Sequence, residues 1–435
     1  MKSSSEKWRP GPRTIGACLL ATALGAGMGI SAAEVQPNWP HWRGPEDCGS
    51  TKGASYPVKF DGDHTLWKAP LPGKGCSTPI VWEHGIYLTA PVDGSDAVLA
   101  FDWKGKGLWQ RKFGPENAGK HRNGSGCNPS PATDGKSVFV YFKSGAFAAV
   151  ELDGKVRWQT NLVEAFGPDT LYWDQGTSPV LTEKFVIVTR LHQGESWVAA
   201  FDKVTGELRW KVPRNYETLV EGDHGYSTPV LIREQGREEL LVWGGEHVTL
   251  QDAADGKLIW ACAGFHEDAK ANWPTVASPV VAEDVVVVPF GRADRGLPRL
   301  YGIRLAGSGQ SAAGQRIWKR EDMGTFVPTP AVYQGRVYIV RDRGEVECLE
   351  PKTGTTLWSN AFPKASSNFY ASPVIAGGNL YAVREDGVVF VARIEGGFEL
   401  VAENKMGERV IASPVPVANR LFIRGEQNLF CVGME

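Results

Sequence analysis

The sequence predicts an all-β, eight-bladed β-propeller, and three observations predict it. A phrase made of a small residue, a proline and an apolar pair recurs about every 48 residues, with prolines at 79, 131, 179, 229, 279, 330, 373 and 414. Short apolar or alternating runs, bounded by Gly, Asp and Asn turns, lie between the copies without any helical segment of note. A tryptophan closes nearly every copy. Four short antiparallel strands per unit, repeated eight times, close around a channel.

Taken in order, the chain of 435 residues opens with Lys2, Lys7, Arg9 and Arg13, an apolar run from Ile15 to Ile30, and Ser31-Ala32-Ala33. That order is the one an export signal takes. Residues 1–33 therefore read as a signal peptide and the remainder as secreted or periplasmic, with no membrane span beyond the signal. Residues 34–63 read as an N-terminal strap, with Trp39 and Trp42 packed across the propeller. Residues 64–435 read as the propeller itself. Its eighth unit (413–433) stops after three strands, and a lone strand at 64–71, HTLWKAPL, supplies the fourth. Pairing the two closes the ring and leaves no sheet edge exposed.

The repeated residues have structural readings first. Trp67, Trp109, Trp158, Trp210, Trp260, Trp318 and Trp358 stand one per blade, and blade 7 carries Phe398-Glu399-Leu400-Val401 at that place. A large flat ring on each outer strand packs against the neighbouring blade. The acids Asp102, Glu151, Asp202, Asp252 and Glu350 sit at a strand-to-turn junction, where a carboxylate accepts turn N–H groups. Gly154, Gly206, Gly256 and Gly354 give those turns their positive φ. Ala100, Ala149, Ala200, Gly302 and Cys348 form a small-residue column just ahead of the acids.

Composition removes several functions. A net charge of −2 gives no electrostatic footprint for nucleic acid. No GxSxG, HExxH or Walker loop supports hydrolase or nucleotide chemistry, and no CxxC suggests a zinc or thiol-redox site. Six cysteines outlast the signal peptide: Cys48, Cys76, Cys127, Cys262, Cys348 and Cys431. In an exported protein they permit disulfides, whose pairing the spacing leaves open.

The pattern at Ala200-Phe201-Asp202, Thr205-Gly206 and Trp210 resembles the tryptophan-docking repeat of the pyrroloquinoline quinone (PQQ) propeller superfamily, over roughly residues 64–433. The opening Trp39-Pro40, Trp42-Arg43-Gly44-Pro45 is similar to that of a group of secreted bacterial PQQ-like propellers of unassigned activity. The repeat is also similar to that of the outer-membrane assembly propellers. The resemblance implies the fold strongly and several functions equally. In its dehydrogenases PQQ lies between a Trp and a disulfide of adjacent cysteines, with Ca²⁺ on Glu, Asn and Asp and an Asp as base. No two cysteines are adjacent here. Trp273 stands as a stacking surface, and Asp174 or Asp223 as a Ca²⁺ ligand or base.

Function is therefore sought on the long loops between blades, which share a face with the hairpins between second and third strands. His224 beside Asp223 is the first acid–base candidate, followed by Asp174. Asn272, Trp273, Tyr226 and Trp173 are ligand-binding candidates at the channel entrance. Arg190, Arg341, Arg384 and Arg424 follow the second strand in four blades and would ring one face around an anion, unless Asp342, Glu385 and Glu426 neutralise them locally. The reading expects a monomeric binding or scaffolding module whose partner is an envelope protein or a glycan. The alternatives are a PQQ-dependent quinoprotein oxidoreductase and a carbohydrate-binding propeller.

Overall fold

The computed structural model describes residues 38–53, 55–62, 65–219, 221–266, 273–305 and 314–433. The expected signal peptide and Asn272 lie outside them. Eight four-stranded antiparallel sheets follow one another along the chain. Blade 1, for example, runs Ile80–Trp82, Gly85–Val92, Ser95–Asp102 and Gly107–Pro115. The second and third strands of each blade are buried on both faces, whereas fourth strands are half-exposed at the rim. Apolar clusters fill the wedges between blades: Ile80, Tyr87 and Val98 of blade 1 pack with Val138, Val140 and Val150 of blade 2. Helix is limited, among the described residues, to Leu162–Phe166 and a 3₁₀ turn at Ala293–Arg295. None is long and apolar enough to cross a membrane.

The ring closes in blade 8. Strand Trp67–Pro70 pairs with Asn428–Gly433 in the register Trp67 opposite Cys431 and Pro70 opposite Asn428. Blade 7 gains a fifth strand, Ser50–Thr51, laid parallel on Val374–Ala376.

The tryptophans dock from each blade onto the next. A Cβ on Gly105, Gly154, Gly206, Gly256, Gly314 or Gly354 would stand 2.6–2.9 Å from the indole of the preceding blade's Trp67, Trp109, Trp158, Trp210, Trp260 or Trp318. So these glycines do more than supply positive φ: they leave the space the ring fills. The indole N–H of Trp158 donates to the Lys203 carbonyl at 2.9 Å, and those of Trp67, Trp109 and Trp318 find the equivalent carbonyls. The small-residue column is explained the same way. Ala100, Ala149, Ala200, Gly302 and Cys348 lie directly across the sheet from the Trp of their own blade. The acids Asp102, Asp202 and Asp252 accept turn amides at 2.8–3.0 Å.

One expectation changes. In blade 7 the register puts Ala402, opposite Val391, at the Trp position, two residues beyond Leu400 and outside the 398–401 stretch read from sequence. Trp358 packs instead on Phe398, ring centroids 5.9 Å apart. The six cysteines are all free, so the blades are held without disulfides.

Candidate functional site

The residue before each repeat proline is Ser or Thr in all eight blades. A following proline confines it to extended backbone, which holds its hydroxyl at a fixed angle to the channel. The N–H of Thr78 donates to the Ser130 hydroxyl at 2.9 Å, and that of Ser130 to Ser178 at 3.0 Å. The relay continues through Thr228, Ser278, Thr329, Ser372 and Ser413, whose N–H returns to the Thr78 hydroxyl at 3.3 Å. The result is a closed girdle of eight hydroxyls. Read as merely small, these residues were legible in every copy of the phrase, and the Ser/Thr invariance within this one chain was the missed signal.

The strap floors this channel. Trp39 exchanges two backbone bonds with Val81, and the Pro40 carbonyl accepts from Thr133. The chain then crosses to blades 6 and 7, where the Cys48 and Gly49 carbonyls accept from Val332 and Ile375. In the crossing, Arg43 is buried and donates to the carbonyls of Pro330 (2.9 Å) and Pro373 (3.0 Å). Gly49 makes room for its guanidinium, and Gly44 for the Trp39 ring.

Above the floor is a cavity of about 650 Å³, within the range of small-ligand sites. Trp42 reaches it from the strap, and seven girdle residues line it. Its mouth is built from inter-blade loops and second-to-third hairpins, as the chain order predicts: Trp173, Tyr226, Asn368 and Tyr370 from the loops, and Asp294 and Asp342 from the hairpins.

The charges at the mouth are mostly spent on one another. Asp174 accepts from Lys143 at 2.8 Å and from the backbone of Lys120 and His121, all in a buried setting. Glu385, which the sequence reading treated only as a neutralising neighbour, gathers Arg122 (3.3 Å), Asn123 (3.2 Å) and Arg409 (3.1 Å) across the loops of three blades. Asp342 accepts from the amides of Phe326 and Val327, while burial pushes its carboxyl above the usual range. Cys76 lines the cavity, but burial lifts its thiol to about 11, so it is a poor nucleophile.

The predicted site residues scatter accordingly. Trp173 and Tyr226 meet at the mouth, where the Trp173 amide donates to the Tyr226 hydroxyl at 2.8 Å. His224 is buried beside Asp223, 3.8 Å away, and neither lines the cavity. Trp273 packs into the core against Phe290 and His266. Of the arginine column only Arg341 lines the cavity, near Glu347 at 3.7 Å. Arg190 donates to the Phe166 and Gly167 carbonyls and stacks on Trp197. Arg384 is forked onto Asp386 and stacks on Phe390. Arg424 donates to the Ser77 carbonyl at 3.0 Å. The four therefore form no shared anion ring.

The same geometry tests the quinone cofactor. Cys76 is the single cysteine on the cavity wall among the described residues, Trp273 is withdrawn into the core, and Asp174 is saturated. No group of three acids, His or Cys among the described residues is placed to hold a cation. These residues do not fit PQQ with Ca²⁺ as the dehydrogenases hold it, and no step is derived through it.

An eight-bladed ring of tryptophan-docked, four-stranded blades around a floored channel defines a PQQ-like propeller. The chain belongs to the family described as outer membrane protein assembly factor BamB, which matches residues 50–210, 163–308 and 307–400. The Yersinia pestis protein of that name is 24% identical over 332 residues, covering 74% of this chain and 75% of that one. Among solved structures, BamB from Moraxella catarrhalis superposes with a TM-score of 0.57 at 17% identity, covering 88% of this chain and 98% of that one. A europium-containing methanol dehydrogenase gives 0.65 at 12% identity, covering 90% of each. These structural likenesses show the fold.

Proposed function

We propose that this propeller is an exported binding or scaffolding module of the cell envelope, acting in outer-membrane assembly, and that it holds its partner at the loop face. The observation that carries the reading is an exposed aromatic pair at the mouth. Tyr172 and Trp173 are 57% and 40% exposed and meet edge to face with ring centroids 4.8 Å apart, and Trp173 lines the cavity. Large rings left open on a rigid rim are what a partner buries first. Buried carboxylates already tied to Lys143, Arg409 or backbone amides favour recognition over acid–base chemistry. Family membership supports the envelope setting and a protein partner over a glycan.

The test places a photo-crosslinker at Tyr172 and recovers adducts from the envelope fraction, with Leu258 on the opposite rim as control. Adducts specific to Tyr172, lost in a Trp173→Ala background, are the expected result. Equal labelling from both positions refutes the site. A titration with PQQ and Ca²⁺, followed by tryptophan quenching, is expected to show no saturation. Saturable micromolar quenching would reinstate the oxidoreductase reading.

A further inference from the structure

The hydroxyl girdle is chemically unfinished. Each of its eight oxygens accepts one backbone N–H, and none donates its own hydrogen to a protein acceptor among the described residues. Seven of the eight side chains line the cavity, although nearly all are buried. A ring of O–H donors therefore points at a common space and asks for an acceptor.

Two cations flank this ring, Arg43 on the side of the strap and Arg424 on the side of the mouth. Arg43 donates to the carbonyls of the prolines that follow Thr329 and Ser372, and Arg424 to the carbonyl of Ser77, the residue before Thr78. Each guanidinium is thus one residue from a girdle hydroxyl. Both are almost wholly buried, and neither has a salt bridge among the described residues. Arg43 Nε and Nη1, and Arg424 Nε and Nη2, lack any hydrogen-bond partner there. Burial lowers both to about 10, which still leaves them charged at neutral pH. Unpaired buried charge is costly, and proteins that keep it generally put it to use. Of the carboxylates that reach the cavity, Asp174, Asp294 and Asp342 are held by Lys143, Arg292 and backbone amides, and Glu345 is the fourth. Arg43 below the girdle, Arg424 above it and Arg341 and Arg343 at the mouth therefore put cations on both sides of a ring in which donors are in excess.

We propose that the channel at the level of the hydroxyl girdle is a binding site for a small anion rich in oxygen acceptors, of the carboxylate or phosphate class. The girdle hydroxyls would donate to its oxygens, and Arg43 and Arg424 would supply charge through a low-dielectric wall without touching it. A single hydrated chloride satisfies few of these donors. A citrate-sized multidentate anion fits both the volume and the donor ring. The site is separate from the aromatic mouth and is read on the isolated chain, so its failure leaves the partner reading standing.

The experiment is calorimetry of the full chain at low ionic strength with citrate, inorganic phosphate and chloride, with the emission difference between the parent and Trp42→Phe as a second readout. Saturable one-to-one binding of citrate or phosphate above chloride is expected. Arg43→Gln and Arg424→Gln, which remove the charge and leave a shorter neutral side chain, should each weaken it about tenfold. Isotherms indistinguishable from chloride, or affinity unchanged in both variants, overturn the proposal. If one variant fails to fold, the other variant and Ser372→Ala decide it.

Discussion

At the scale of single residues, the most constrained positions are those where two requirements meet. Gly206 has φ +75°, and any Cβ there would stand 2.6 Å from the Trp158 ring. Gly206→Ala combines backbone strain with overpacking, and should cost about 2–4 kcal/mol, read by denaturant unfolding. Asp96 offers a different test. It is fully buried, with the Cys127 thiol 3.5 Å from its Oδ1 and the Ser144 hydroxyl partly offsetting the cost of burial. Burial raises its carboxyl to about 6, with Glu116 adding to the shift. A folded value above the unfolded one means that Asp96 favours the native state at low pH, and that this stability is lost as pH rises through about 6. Asp96→Asn should therefore flatten the stability profile between about pH 4 and 6 and leave the protein more stable at pH 7, by on the order of 1–3 kcal/mol. An unchanged slope would mean that Asp96 is not the titrating group.

At the scale of the blade, the missing tryptophan of blade 7 has a physical reason. Every docking indole sits on the turn between the third and fourth strands of the next blade. Blade 8 has no such turn, because its third strand ends the described chain and its fourth comes from Trp67–Pro70 near the start. A tryptophan at Ala402 would have no glycine turn to rest on. Ala402→Trp is accordingly expected to give no rise in melting temperature, whereas a rise would show that docking does not need the turn. Trp67 itself closes the ring, donating to the Trp103 carbonyl at 2.8 Å and packing beside Phe422. Trp67→Ala should cost about 2–4 kcal/mol and lower a single cooperative transition. A separate early transition confined to blade 8 would argue that the ring tolerates opening.

At the scale of the molecule, the architecture was legible because a ring of blades writes itself as a period, and the fourth strand of blade 8 because the last unit runs one strand short. The site was legible only in part. Trp173 and Tyr226 lie on loops long enough to read as the mouth, but Trp273 and His224 turn inward, where Thr275 donates to the His224 carbonyl and accepts from Tyr226, and Leu191 accepts from Gly225. Nothing local encodes that pull. The girdle was visible letter by letter yet silent, since its meaning lies in bonds between residues about 50 apart. Ser178→Ala would strand the buried Ser130 N–H and should cost about 1–3 kcal/mol across the whole propeller.

The strap carries a consequence for the order of events in folding. Arg43 binds Pro330 and Pro373, 287 and 330 residues downstream, and Ser50 donates to Val332 at 2.6 Å. None of these partners is in place until blades 6 and 7 have been made and brought round to face blade 1. A segment made before any blade is thus among the last to find its seat, and it waits as an unpaired chain carrying Trp39, Trp42 and a bare guanidinium. Its docking reports that the circle is complete. A label at Trp42 would time closure of the propeller, rather than formation of any blade within it.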